Sequence, residues 1–335
     1  MKKFWSLLAV TAILLLTLSA CGDSGEKTNP TAIPPTVKAP VHVAVIKGPS
    51  GIGMTPLMEK QTTGTAENNY KFQVLSSPDE VVAALSKGEA DIAALPSNLA
   101  ATLYNKGTSG GIQLLAVTTK GVLSIVESGD TIHRVADLRG KTIYTTGEGA
   151  NPEFILRHIL TKNGLTPGTD VTISFAADND ELASKLAAGL IDVAMVPEPV
   201  TTTVLGKNTA LRRALSMTEA WDALNGDSAL LMTGIVVRTA FLVSHADAVR
   251  AFLAEYETSI DTVNTDIPTT ARLCEKFEII PSAAIAEHAI PGCNLTFLSG
   301  EDMRTAISGY YEVLFAADAR SIGGALPKDD FYYAE

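Results

Sequence analysis

The chain has almost none of the residues that build metal or redox centres. Only three cysteines, Cys21, Cys274 and Cys293, and five histidines occur in 335 residues. No C-x-x-C, H-E-x-x-H or close histidine pair is present, so neither a zinc set nor a metalloprotease helix is written here. Basic residues are scarce as well, 26 against 37 acidic ones, for a formal charge of −11. That balance excludes the cationic surface through which nucleic acids and anionic headgroups are bound. Nucleotide and hydrolase motifs fail at single positions. Gly48-Pro-Ser-Gly-Ile-Gly53-Met54-Thr55 puts Met54 where a phosphate loop needs lysine, Gly147-Glu-Gly149-Ala-Asn-Pro152 breaks the dinucleotide pattern at its last residue, and Gly48-Pro-Ser50-Gly-Ile52 breaks the nucleophile elbow. No cofactor, metal or catalytic set is expected.

What is present starts at the N-terminus. Lys2 and Lys3 precede an apolar run over residues 7–18, which ends in Leu18-Ser19-Ala20-Cys21. A basic start, a short apolar core and small residues before a cut site make an export signal, and no later apolar stretch is long enough to span a bilayer. The Leu-Ser-Ala-Cys ending resembles a lipobox. That resemblance implies cleavage before Cys21, acylation of its thiol with palmitate among the chains, and anchoring to the outer face of the cytoplasmic membrane or the periplasmic side of a membrane. Residues 1–20 are read as signal peptide and residues 21–40, polar and rich in proline, as a flexible tether. With Cys21 lipidated, Cys274 and Cys293 remain as an even pair in an oxidising compartment, and a disulfide is expected between them.

The body alternates strands and helices. Residues 41–46, 71–75 and 91–95 read as strands and residues 78–86 and 99–104 as helices, with a glycine-rich turn over 47–53 and a helix from Thr55-Pro56 onward. The segment LSKGEADIAALPSNLAAT (85–102) lines up with LAAGLIDVAMVPEPVTTT (186–203), and each is preceded by a strand, a glycine turn and a helix start, at 41–54 and 141–152. Strand-like runs at 112–118 and 123–126 carry the chain across, and 230–237 brings it back. The expectation is an α/β protein of two similar lobes joined by a two-stranded hinge, lobe 1 being 41–120 plus 238–335 and lobe 2 being 121–237.

Matching strand ends in facing lobes point their turns at the interface. Gly51, Gly53, Ser97, Asn98, Gly147, Gly149, Asn151 and Glu198 are therefore candidates to line a cleft. A glycine turn at a helix N-terminus suits a small polar or anionic group, or is simply a tight turn. Glu198 is either a ligand contact or a solvated carboxylate in a proline turn.

Beyond these residues, the chain resembles the solute-binding lipoproteins of ABC importers, the type that includes nitrate, taurine, alkanesulfonate and thiamine-pyrimidine binders. The resemblance rests on GEADIAALPSNLA (88–100), DLRGKTI (137–143), IDVAMVPEP (191–199) and GGALPKDDFYY (323–333). It implies the type II periplasmic-binding-protein fold, capture of a small polar molecule between the lobes, delivery to an ABC permease with its ATPase, and a monomer. The ligand set it implies is Ser50, Gly51, Gly53, Met54, Ser97, Asn98, Thr118, Gly147, Gly149, Asn151 and Glu198. No tryptophan flanks the Glu-Pro motif, no arginine lies in the cleft turns, and Glu148 stands beside Glu198 in the acidic tally. A neutral or cationic nitrogen-bearing solute such as a pyrimidine-like ring is favoured over sulfonate or nitrate. The alternatives are an enzyme on the same fold, resembling thiamine-pyrimidine synthase but without its cysteine cluster, and a surface receptor or scaffold.

Overall fold

The computed structural model describes residues 38, 40–107, 110–225 and 228–334. Cys21, the signal peptide and nearly all of the tether lie outside the described residues. The first half of the fold runs β1 (Pro40–Ile46), α1 (Pro49–Thr63), β2 (Asn69–Leu75), α2 (Pro78–Lys87), β3 (Ile92–Pro96), α3 (Ser97–Asn105) and β4 (Ile112–Lys120). The next elements are β5 (Leu123–Ser128), β6 (Thr142–Thr145), α4 (Asn151–Lys162), β7 (Thr172–Phe175), α5 (Asn179–Ala187), β8 (Val193–Pro197), α6 (Val200–Lys207) and β9 (Leu211–Ser216). The chain then returns through α7 (Met217–Asn225), β10 (Leu231–Arg238), α8 (Thr239–Ser244), α9 (Ala246–Thr265), α10 (Ile267–Lys276), α11 (Ala283–Ala289), β11 (Leu295–Ser299) and α12 (Gly300–Ala317).

The strands form two sheets, ordered β11-β4-β10-β3-β1-β2 and β7-β6-β8-β5-β9. In both, three parallel strands share one arrangement, β2-β1-β3 and β7-β6-β8, followed by an antiparallel strand, β10 or β5. The internal repeat is thus a repeat of sheet topology. Within it, α2 ends on Gly88 in the left-handed region (φ 74), which lets its amide reach back to the helix carbonyls.

β10 belongs wholly to the first sheet, so the return crossing lies before Leu231 and not at residue 237. Asp91 shows why: it accepts the His42 N–H at 3.0 Å and the Arg238 guanidinium at 2.6 Å, pinning the end of β10 beside β1 and β3. The two crossings also differ in kind. One is the two residues Gly121 and Val122, and the other passes through the helix α7. They touch closely, since a Cβ on Gly121 would lie 2.1 Å from Thr218 Oγ1 and 2.8 Å from Leu230 Cδ2.

The helix expected from Thr55-Pro56 begins earlier, at Pro49. Pro56 has no N–H for the Ile52 carbonyl, which would ordinarily break the helix. The Thr55 hydroxyl donates to that carbonyl at 2.9 Å and replaces the lost bond. The glycine-rich stretch read as a turn is consequently the first turns of α1.

One apolar cluster runs through both lobes, with Leu114, Met303 and Tyr310 from the first and Ile125, Ile155 and Met195 from the second. Trp221 of α7 sits within it, fully buried, its ring 5.1 Å from His158 and 5.3 Å from Tyr310. The indole N–H donates to the Ser228 carbonyl at 2.7 Å. Among the described residues no helix is long and apolar enough to cross a membrane.

Candidate functional site

The parallel strands of each sheet end at the boundary between lobes, and helix starts follow them there. Ser97 opens α3 directly after β3, and Asn151 opens α4 after the turn that follows β6. The two residues meet: Asn151 Nδ2 donates to Ser97 Oγ at 3.3 Å, and both are essentially solvent-free. Ser97 Oγ in turn donates to the Leu231 carbonyl at 2.6 Å. Two tyrosines of α12 complete the set. Tyr310 donates to Asn151 Oδ1 at 3.0 Å and Tyr311 to the Ser97 carbonyl at 2.9 Å. Burial pushes both phenols above their ordinary range, which keeps them protonated donors.

Glu198 lies on the same boundary, 1% exposed, after β8. The Arg213 guanidinium of β9 pairs with it and the Thr202 N–H donates to it at 3.1 Å. Its side chain rests on Gly292 of lobe 1, where a Cβ would lie 3.0 Å from Glu198 Cγ. Next door, Pro199 approaches Gly48, the residue before α1. The carboxylate is therefore a buried, neutralised contact between lobes and not a solvated group in a turn.

Other expected site residues are placed differently. Gly51 and Gly53 do not sit in a cleft turn. In α1 they allow close packing, Gly51 against Ile279, and Gly53 where a Cβ would fall 2.7 Å from Ile260 Cδ1. Met54 is buried in the same apolar cluster of lobe 1. Ser50 spends its hydroxyl on the Ile46 carbonyl at 3.0 Å. Gly147 and Gly149 adopt positive φ in the turn before α4, and the Gly149 N–H is taken by the Glu153 carboxylate at 2.7 Å, so that helix start already holds an anion of its own. Asn98 donates to the Ser321 carbonyl at 3.1 Å and keeps an unpartnered buried oxygen. Thr118 is fully buried at the end of β4 with its hydroxyl unpartnered.

Cys274 and Cys293 are not joined. Both are buried thiols. Cys274 lies beside the Thr55 hydroxyl, and burial raises it to about 11; burial, with Glu198 and Cys274 nearby, pushes Cys293 up as well. Their apolar surroundings hold them as packing residues, and an even count carries no information on whether two sulfurs meet the geometry of a bond.

Arg213, Gly292, Tyr310 and Tyr311 were not identified from the sequence. Arg213 has no motif around it. The adjacent tyrosines of α12 were the available signal, because a buried phenol requires a partner.

Two similar α/β lobes with a polar boundary and a double crossing define the type II periplasmic-binding-protein class. Residues 53–261 match the family model described as ABC transporter, phosphonate, periplasmic substrate-binding protein. The chain belongs to that family and is a solute-binding protein of an ABC import system. Among solved structures it is similar to an ABC transporter from Parabacteroides distasonis, at 25% identity and a TM-score of 0.74 over 88% of this chain and 99% of that one. The fold is shared with the periplasmic aliphatic sulphonate binding protein SsuA from Escherichia coli, at 14% identity and 0.68 over 86% and 92% of the two chains. It is shared too with the periplasmic nitrate-binding protein NrtA from Synechocystis PCC 6803, at 13% and 0.61 over 87% and 83%. No curated protein matches the chain by sequence.

Proposed function

We propose that the protein holds its solute between the lobes, near Ser97, Asn98, Asn151, Gly147, Gly149 and Glu198, and hands it unchanged to a permease and its ATPase. The observation that carries this reading is the Asn151–Ser97 hydrogen bond, which joins the N-terminal turns of α4 and α3, helices of opposite lobes. Direct bonds of this kind are worth about 0.5–1.5 kcal/mol each. Moving an open–closed equilibrium from one extreme to the other takes about 5.5 kcal/mol, so a few such bonds do not set the closed state and the solute must supply most of the difference.

The solute is small, nitrogen-bearing and neutral or cationic. Glu153 occupies the Gly149 amide, and Arg213 at the boundary is engaged by Glu198. An anionic headgroup would find those donors already taken. Cys21 carries the lipid that keeps the protein on the outer face of its membrane, and the closed form docks on the permease.

Small-angle scattering tests the reading. Solute recovered from native cells and identified by mass spectrometry should reduce the radius of gyration on rebinding and be released unaltered. Tight binding without compaction, or conversion of the solute, would defeat it.

A further inference from the structure

The shorter crossing is two residues long, and each lobe holds one of its two carbonyls. Asn294, between the turn Ile290–Cys293 and β11 of lobe 1, donates from its side-chain amide to the Gly121 carbonyl at 2.5 Å. Its own backbone carbonyl accepts the Lys120 N–H at 3.1 Å. From the other side, the Glu198 N–H after β8 donates to the Val122 carbonyl at 3.0 Å. Asn294 grips the chain from the left-handed region, at φ 46, which asparagine enters more readily than most residues.

A held carbonyl fixes more than one atom. Peptide groups are planar, so the Gly121 carbonyl carries the Val122 nitrogen with it, and the Val122 carbonyl carries the Leu123 nitrogen. The first plane is thereby fastened to lobe 1 and the second to lobe 2. Only the Val122 Cα joins them, and the soft rotations left along this crossing are the φ and ψ of that one residue. Gly121 has the freer backbone. It is nonetheless wedged, since a Cβ there would lie 2.1 Å from Thr218 Oγ1 and 2.8 Å from Leu230 Cδ2. The other crossing leaves five residues between α7 and β10, enough torsions to follow whatever the short one permits.

We infer that Val122 is the joint on which the lobes turn, and that Asn294 and the Glu198 amide are the clamps that confine the rotation to it. This rests on the two-lobe binding reading above. A β-branched residue keeps to negative φ, so the swing follows a restricted path. The clamps also meet each other across the boundary. Gly292, two residues before Asn294, is where the Glu198 side chain seats, so the segments that hold the crossing are the ones brought together when the lobes close. Asn294 acts on solute capture only through this joint, as a positioning residue.

Nitroxide labels at Asp79→Cys and Asp180→Cys test the assignment by double electron–electron resonance on the whole mature protein without solute. These exposed residues lie in the first turns of α2 and α5, at equal places of the repeat and in different lobes. Wild type should show an open and a closed distance. Val122→Gly should raise the open-to-closed ratio roughly two- to fivefold, the equivalent of the backbone freedom that a glycine adds. Asn294→Gly keeps the left-handed backbone and removes the donor, and should broaden the distribution in the same sense; its site is exposed, so folding survives the change. Val122→Ile keeps the branched Cβ and should reproduce wild type. A wild type that moves while both glycine variants match it, or a Val122→Ile that behaves as Val122→Gly, would overturn the joint and spare the two-lobe reading. One fixed distance in all four proteins would defeat both.

Discussion

Glu198 and Gly292 come from different lobes and meet so closely that a single methyl group on Gly292 would press on the Glu198 side chain, 3.0 Å from its Cγ and 3.1 Å from Oε1. The missing side chain is what lets lobe 2 seat a buried carboxylate on lobe 1. No positive φ accompanies Gly292, so alanine fits its backbone and the strain of substitution would fall on the contact alone.

Gly292→Ala should therefore shift the protein toward an open form. Scattering should give a larger radius of gyration without solute, and solute affinity should fall. The overpacking is worth about 1–3 kcal/mol. Adding Glu198→Ala in the same molecule should return the radius toward wild type, an effect that general unfolding would not give.

Tyr310→Phe removes the donor to Asn151 Oδ1 in a fully buried setting. Leaving that oxygen unmet should cost about 1–3 kcal/mol in urea unfolding. Asn151→Leu in the Tyr310→Phe background should recover part of the loss while abolishing the polar link between lobes, and the test is whether unfolding midpoint and solute affinity separate in the double variant.

At the crossing, Gly121→Ala should destabilise by more than a surface glycine replacement, because the added Cβ would run into Thr218 and Leu230. A loss of about 1–3 kcal/mol is expected. Thr218→Gly should rescue some of it, read as melting temperature, whereas a change elsewhere in α7 should not.

Acid should find Glu127. Burial alone would raise this carboxyl, yet amides of Ile132 and Thr131, the Thr131 hydroxyl and the Arg212 guanidinium together hold it below the usual carboxylate range. A depressed folded pKa means the unfolded chain binds more protons, so this contribution is present above the ordinary value and is lost as pH falls through the folded one. Melting temperature should drop below about pH 4.5 in wild type. The drop should be shallower in Glu127→Gln, and parallel slopes in the two proteins would rule the group out.

The native thiols should resist iodoacetamide near pH 8, since burial lifts Cys274 to about 11 and Cys293 higher. Denatured, unreduced protein should show both as reactive. Oxidised sulfur at either position would restore the disulfide expected from the cysteine count.

Much of the architecture could be read before the structure because it depends on local signals repeated at equal spacing. Segments 85–102 and 186–203 announced two copies of one helix–strand–helix unit, and the sheets reproduce it in strand order. The start of α1 was hidden because Pro56 is a breaker by every local rule, and only the hydroxyl of its neighbour Thr55 makes good the missing bond. The site was half legible. Ser97 and Glu198 directly follow strand ends and Asn151 opens a helix after a glycine turn, where position alone marks them. Arg213, Gly292 and Tyr310 owe their roles to residues far along the chain, and no periodicity or spacing encodes such meetings. Gly51 and Gly53 carry the same letters a ligand turn would carry, and only the approach of Ile279 and Ile260 reveals them as packing positions.

The order of the first sheet bears on how the chain assembles. β3 and β4 are consecutive in the first part of the chain, but in the sheet they have no direct pairing, and β10 lies between them. Synthesis delivers β1 to β4 and then all of the second sheet before β10 exists. Through that interval β3 and β4 each carry a row of unpaired amides and carbonyls along a hydrophobic strand, the kind of edge that invites wrong partners. β10 must slide between two strands made long before it, closing loops of great length, which is a slow event. The first sheet stays incomplete until β10 and then β11 have been made, whereas every strand of the second sheet, β5 to β9, is made before either of them.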